Sequence, residues 1–344
     1  MAIYQTQIFN HFKHVESWLK PRGVRADVRL PGLILQIQYR NLYYEFQPQF
    51  LVKDRHGKLS MWMEFGDSSA SFCGWLPYFN KRWPEAISKL AFKEFALRNG
   101  LRCPAHNVLQ GSYRDVIIKR DRSSFAEGIR GPFRVTTTDS DQARLTDGEY
   151  YETFILGRPL KAWYWNGKIV AAELEEMASV VGDGTHKVRD ILALGRYMRR
   201  PVPQELLESM LAYQGWSLDA VLPAGEAVYV DYRYDSPLHR LVTDNQDVLH
   251  QLPQHIRSQL DEAGPILLDS IPDDIRNNTA FSVDAVVDKD DSVWFLEMNC
   301  NPGLHPAIYP AMFDSLFEGA DIVSDEYKPR HLLANPNRMP TVQS

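Results

Sequence analysis

The spacing of apolar and polar residues changes period several times along the chain, and each change marks an element. Between residues 30 and 65, strand-like runs (LILQIQY, YYEFQP, LSMWMEF) alternate with turn residues, and Asp54-Arg55-His56-Gly57 has the chemistry of a hairpin connection. Residues 66–84 read as an aromatic loop. From 85 to 99 the period becomes helical. Ile87, Leu90, Ala91 and Phe95 make an apolar stripe, Pro84 sits near the first turn, Gly100 takes the place just past the end, and Pro104 lies beyond. DVIIK, 115–119, reads as a short buried strand that ends in a lysine, and the loop RDRSSFAEGIRGPF follows it. YYETFILG and LKAWYWNGKIVAAEL are strand stretches, the second folded at Asn166-Gly167. Helical patterns cover 187–199, 203–213 and 246–262, a hairpin covers 279–299, and the tail 326–344 is expected to be loosely held. Irregular interleaving of helices with hairpins predicts an α+β fold with antiparallel pairing rather than a doubly wound parallel sheet.

The hairpin FSVDAVVDKDDSVWFLEMN, 281–299, carries the most chemistry. In the antiparallel register that places Val283 opposite Met298, Ala285 faces Leu296 and Val287 faces Trp294, so one face is wholly apolar. Lys289 to Ser292 form a four-residue connection. On the other face Asp284 lies opposite Glu297, and Asn299 lies one step along, opposite Ser282. Opposed carboxylates repel, which costs stability in a strand pair. A divalent cation between them reverses the sign. Three oxygen-bearing side chains on one small volume suit Mg²⁺, which keeps several waters and takes further ligands from phosphates. Val286 and Phe295 are expected beside them, as the floor of a partly covered pocket. The alternative is that the two acids simply face solvent.

Composition narrows the setting. Net charge is −6 and the basic residues are spread along the 344-residue chain, so neither nucleic acid nor an anionic membrane is an expected partner. Cys73, Cys103 and Cys300 are far apart and odd in number, with no CxxC spacing, which points to a reducing compartment. No apolar stretch is long enough to span a bilayer and the start lacks a signal-peptide core, so a cytoplasmic location is expected.

The D-x(12)-E-x-N of Asp284, Glu297 and Asn299, followed by Asn301-Pro302-Gly303, resembles the metal-binding end of ATP-grasp enzymes. Other segments resemble the same family in the same order: SKLAFKEFALRNGLRCP (88–104), DVIIK (115–119), SSFAEGIRG (123–131), YETFILGRPLKAWYWNGKIVAA (151–172) and VVGDGTHKVRDIL (180–192). The last is similar to the amino-acid and peptide ligase branch, as in cyanophycin synthetase and ribosomal S6 modification ligases. The resemblance covers about residues 85 to 310. It implies an N-terminal substrate-side domain (1–84), a small central lid (85–150) and a C-terminal catalytic domain with an antiparallel sheet (151–325), with ATP between the last two. It also implies an ATP-dependent carboxylate–amine ligase that works through an acylphosphate. Mg²⁺ would be the ion, with Mn²⁺ as its substitute, and an amino acid or peptide the substrate. A homodimer would match what is common among relatives, and the sequence itself leaves the oligomeric state open.

The resemblance also assigns roles. Lys89 and Lys119 would hold phosphates. Glu152, Thr153, Phe154 and Ile155 would form the hinge beside adenine. Asp284, Glu297 and Asn299 would hold the metal. Lys161 stands where related ligases carry an arginine near the acylphosphate, and Arg130 in the phosphate-covering loop would touch a phosphate or an acidic substrate. Arg189, Arg233 and Arg240 are candidates for binding a substrate carboxylate, Asp183 for shaping the substrate side, and His305 for lining the site. Pro159 departs from the family pattern, since an acid that bonds the ribose often stands there. Two alternatives stay open: a kinase of the same fold, and a nucleotide-binding regulatory protein with a degenerate site.

Overall fold

The computed structural model describes residues 2–107, 115–123, 127–134, 144–194, 202–234 and 246–320. The tail 326–344, positions 124–126 of the expected phosphate-covering loop, Arg240 and the end of the 187–199 helix lie outside these residues.

The chain opens with α1 (Ala2–Leu19), then lays down β1 (Ala26–Arg29), β2 (Ile34–Tyr39), β3 (Leu42–Lys53), β4 (Leu59–Trp62) and β5 (Ser69–Leu76). The twelve-residue β3 organises this sheet: its first half pairs with β2 and its second half with β4 and β5. The expected turn forms at Asp54, whose carboxylate accepts from His56 N and Lys58 N, and Gly57 takes φ +83°. The expected loop over 66–84 instead contains β5. This strand is rich in Ser and broken by register shifts against β3, and Gly74 (φ +110°) is pressed by Leu304, His11 and Tyr309, so its apolar alternation is disrupted. No element was expected before residue 30, where the structure has α1 and β1.

Next come α2 (Lys89–Arg98) and a three-stranded sheet ordered β7-β6-β8, made of β6 (Asp115–Arg120), β7 (Arg130–Arg134) and β8 (Glu149–Thr153). Helix α2 begins four residues later than the 85–99 reading, because Ser88 is its N-cap: Ser88 Oγ accepts from Ala91 N at 3.1 Å. Gly100 (φ +77°) follows its end as expected. The buried face of α2 is Phe92, Lys93 and Ala96, not the stripe of Ile87, Leu90, Ala91 and Phe95.

The hairpin of β9 (Gly157–Trp165) and β10 (Lys168–Leu174) turns at Asn166-Gly167, both with positive φ. Strand β11 (Ala178–Val181), α3 (Val188–Leu194), α4 (Gln204–Tyr213) and β12 (Ala227–Asp231) follow, with β11 paired to β12. Helix α5 (Gln254–Asp269) starts after Pro253, eight residues beyond the 246–262 expectation, and runs through Pro265. The carbonyl that Pro265 leaves without an intrahelical donor belongs to Asp261, an exposed residue that water can serve. The short α6 (Asp273–Arg276) leads to β13 (Ala280–Asp288), β14 (Val293–Cys300) and α7 (Ile308–Leu316).

All strand pairs among the described residues are antiparallel, so the chain has the α+β class that the pattern predicted. The central sheet is ordered β10-β9-β13-β14. One face packs on α5, with Leu160, Ala162, Tyr164, Phe281, Val283, Phe295 and Met298 against Ile256, Leu260, Ala263 and Leu267. A second core joins α1 and the N-terminal sheet to α7: Val15, Trp18, Phe46 and Trp75 pack with Tyr309 and Phe313. No helix among the described residues is long and apolar enough to cross a membrane.

Helix α5 meets the β9–β10 turn so closely that a Cβ on Gly264 would lie 2.0 Å from the Gly167 carbonyl oxygen. Gly264→Ala is therefore expected to destabilise the fold by about 2–3 kcal/mol through overpacking, measured as a shift of the urea midpoint.

Candidate nucleotide and metal site

The β13–β14 hairpin positions the acids. Ser282 pairs with Asn299, Val283 with Met298, and Asp284 with Glu297, as the alternation requires. The register then shifts by one residue, so that Ala285 pairs with Phe295 and Val287 with Val293, not with Leu296 and Trp294. Leu296 is the extra residue of a bulge, and the slip turns Phe295 into the α5-facing core. Phe295 is thus not part of the pocket floor. Loop 289–292 keeps the expected length, closed by Asp288 N donating to Ser292 O at 3.1 Å.

Across the central sheet the registers align Glu173, Lys161, Asp284 and Glu297 in one row, each directly opposite the next. Lys161 Nζ lies 2.8 Å from Asp284 Oδ1, and Asn299 Nδ2 lies 3.2 Å from Asp284 Oδ2. Lys89, in the first turn of α2, reaches Glu297 Oε2 at 3.1 Å and also bonds the Ser123 carbonyl. The structure thus brings together Asp284, Glu297, Asn299, Lys89 and Lys161, all partly shielded from water.

These contacts set the protonation pattern. Burial would raise the Asp284 carboxyl, but the Lys161 ammonium and its hydrogen bond hold it below the usual carboxylate range. Burial pushes Glu297 up, and the Asp284 charge opposite adds to this against the pull of Lys89. Burial works to lower Lys161, yet Asp284, Glu297 and Glu173 together raise it. Two like charges pressed together need a cation, and here two lysines supply it.

The donor set fits a magnesium ion. It offers two carboxylates and an amide, all hard oxygens, and no third His, Cys, Asp or Glu completes a closed cage among the described residues. An ion held this way depends on water and phosphate for its other ligands, which is the usual magnesium arrangement.

Lys119 is on β6 and its ammonium is buried beside Glu152 of β8, with Nζ to Oε1 at 2.7 Å. Lys93, which the sequence reading passed over, takes the other oxygen at 2.7 Å. Glu152 is therefore an anchor for two lysines. Burial raises its carboxyl, and the charges of Lys119 and Lys93 overcome this and bring it down to about 2. The backbone of the expected hinge is partly committed: Thr153 N donates to Ala105 O and Phe154 N to Asp115 O. The Phe154 ring is buried against Tyr213 and Tyr232. Ile155 lies beyond the end of β8.

Other candidates are engaged elsewhere. Arg130 bonds Glu149 Oε2 and the Arg144 carbonyl, each at 2.7 Å. Arg189 pairs with Asp219 and Arg233 with the buried Asp231. Asp183 accepts from Thr185 N and His186 N, which makes it a turn former. His305 packs on Trp163 and lies 3.7 Å from Glu173, at the Lys161 end of the row. Asn301, at φ +45°, fastens the segment after β14 to the N-terminal part of the chain through Lys81 N and O.

No family profile matches the chain. Over 132 residues, 33% of the chain, it is 27% identical to the glutathione biosynthesis bifunctional protein GshAB of two strains of Streptococcus thermophilus. The chain spans 18% of the length of these curated relatives. Among solved structures, a bifunctional glutathione synthetase from Pasteurella multocida superposes with a TM-score of 0.42 at 14% identity, over 90% of this chain and 43% of that one. A D-alanine–D-alanine ligase from Bacillus anthracis gives 0.38 at 13% identity, over 67% and 62%. An L-amino acid ligase from Bacillus licheniformis gives 0.35 at 11% identity, over 66% and 42%.

Proposed function

We propose that the chain is an ATP-dependent carboxylate–amine ligase, with an amino acid or peptide as substrate. The observation that carries this reading is the directly opposed Asp284–Glu297 pair with Asn299 beside it, on a sheet face that lysines approach from two other elements. Such a face gathers positive charge around a hard-cation site, which is what transfer of a phosphoryl group from a nucleotide requires. The order of sequence motifs and the relationship to a glutathione biosynthesis protein point the same way.

In this reading Asp284, Glu297 and Asn299 would hold magnesium, which neutralises phosphate oxygens. Lys89 and Lys119 bind the phosphates. The substrate carboxylate oxygen attacks the γ-phosphorus, and ADP departs. Lys161, on the row next to Asp284, steadies the charge of the resulting acylphosphate. The amine nitrogen then attacks the acyl carbon, the C–N bond forms, the C–O bond to phosphate breaks, and the amine proton passes to solvent.

The test is ATP-dependent phosphate release with Mg²⁺ and pairs of amino acids or short peptides, with mass spectrometry of the product. Phosphate release together with an amide is expected. A stable phosphoester would replace the ligase by a kinase. Nucleotide binding with no stimulated turnover would leave a regulatory protein.

A further inference from the structure

Two lysines share one carboxylate in the α2–β6–β8 corner. Lys93 Nζ and Lys119 Nζ each lie 2.7 Å from a different oxygen of Glu152, and Tyr150 OH approaches Oε2 at 3.3 Å. The Lys93 side chain has no exposure, that of Glu152 1% and that of Lys119 7%. No second carboxylate pairs with either lysine among the described residues. The triad therefore carries one surplus positive charge in a place almost without water. Charge that is buried and unmatched is costly, so such a cluster is favoured where an anion arrives to match it. Lys93 is sealed in, while Lys119 keeps some access and its charge is felt at Glu297. Without Lys93, Glu152 and Lys119 would form a neutral couple and the lysine's charge would be spent inside the fold.

We propose that Lys93 is a positioning residue which neutralises Glu152 and so leaves the charge of Lys119 available to nucleotide phosphates. The proposal rests on the nucleotide reading above. The net charge of the triad is +1 as it stands, zero after Lys93→Met, and +1 again when Glu152→Gln is added. Phosphate affinity follows that count.

The experiment measures binding of ADP with Mg²⁺, and of adenosine, by calorimetry on the full chain. Lys93→Met is expected to weaken ADP at least tenfold and to leave adenosine unchanged, a split that general loosening of the site would not produce. The Lys93→Met/Glu152→Gln pair is expected to bring ADP back to within about threefold of the unaltered chain. Lys93→Gln, whose uncharged amide keeps a polar end beside Glu152, serves if the methionine variant does not fold, and is expected to show the same loss. An ADP affinity within twofold of the original in either single variant overturns the proposal, as does a double variant no tighter than the single one. If ADP fails to bind the unaltered chain, the nucleotide reading itself falls and this inference falls with it.

Discussion

Glu297→Gln should fold as well as the unaltered chain, or slightly better, and should lose ATP-dependent turnover by about a hundredfold or more, the scale set by removing one charge-stabilising group from a reacting centre. The two halves of this expectation come from one geometry. Glu297 sits directly across a strand pair from Asp284, where like charges oppose pairing. Its carboxyl is raised by burial and by that neighbour, so the fold already strains against its ionised form. Glutamine removes the repulsion and can donate to Asp284, while Lys89 retains the Ser123 carbonyl and hydroxyl as partners. What glutamine cannot do is offer a second negative oxygen to a divalent ion. Asp284→Asn should differ in stability alone, because it takes from Lys161 its 2.8 Å counter-ion and so lowers the melting temperature as well as the rate. Thermal melts and ADP release on both variants read the two effects separately. Turnover of Glu297→Gln within threefold of the original would remove the metal assignment.

The acids were legible because strand alternation is a strict period of two and the hairpin needs no distant partner to define its faces. The same reading failed past Leu296, where a bulge shifts the register. A bulge depends on how the strand bends over α5, and no residue in FLEM announces it. The helix at 89–98 shows the opposite failure. Its apolar residues suggested one stripe, yet the buried face includes Lys93, because the partner that makes a lysine tolerable there, Glu152, lies 59 residues away on another sheet. Ser88 was the local signal that would have set the start of this helix correctly, through the hydrogen bond from Ala91 N. The motif placed Glu152 at the expected hinge but carried no sign of the two lysines that its carboxylate holds. Helix α1 owes its place to the C-terminal α7, through His11 with Tyr309 and Trp18 with Asp314, contacts across nearly the whole chain that local pattern does not carry.

Glu152→Gln carries the largest expected cost to the fold, about 3–5 kcal/mol at neutral pH, the range for breaking a buried ion pair while leaving its partners charged. The side chain keeps its size, so no cavity forms and packing does not confound the result. What remains is Lys93 with no exposure and Lys119 nearly as enclosed, facing each other with no anion between them. Lys93→Met should cost less, because Glu152 keeps Lys119 at 2.7 Å, and the double variant should recover much of the loss by leaving one lysine instead of two. The pH dependence has a definite sign. The Glu152 carboxyl is brought from its ordinary 4.5 down to about 2, so its contribution is complete above about 4.5 and disappears as pH falls through about 2. The stability gap between the original chain and Glu152→Gln should therefore be widest near neutrality and narrow steadily as the acid is titrated, which urea unfolding at a series of pH values measures directly. A gap that stayed constant down to about pH 2.5, or a variant as stable as its parent at pH 7, would mean that Glu152 does not hold the two lysines as a charge.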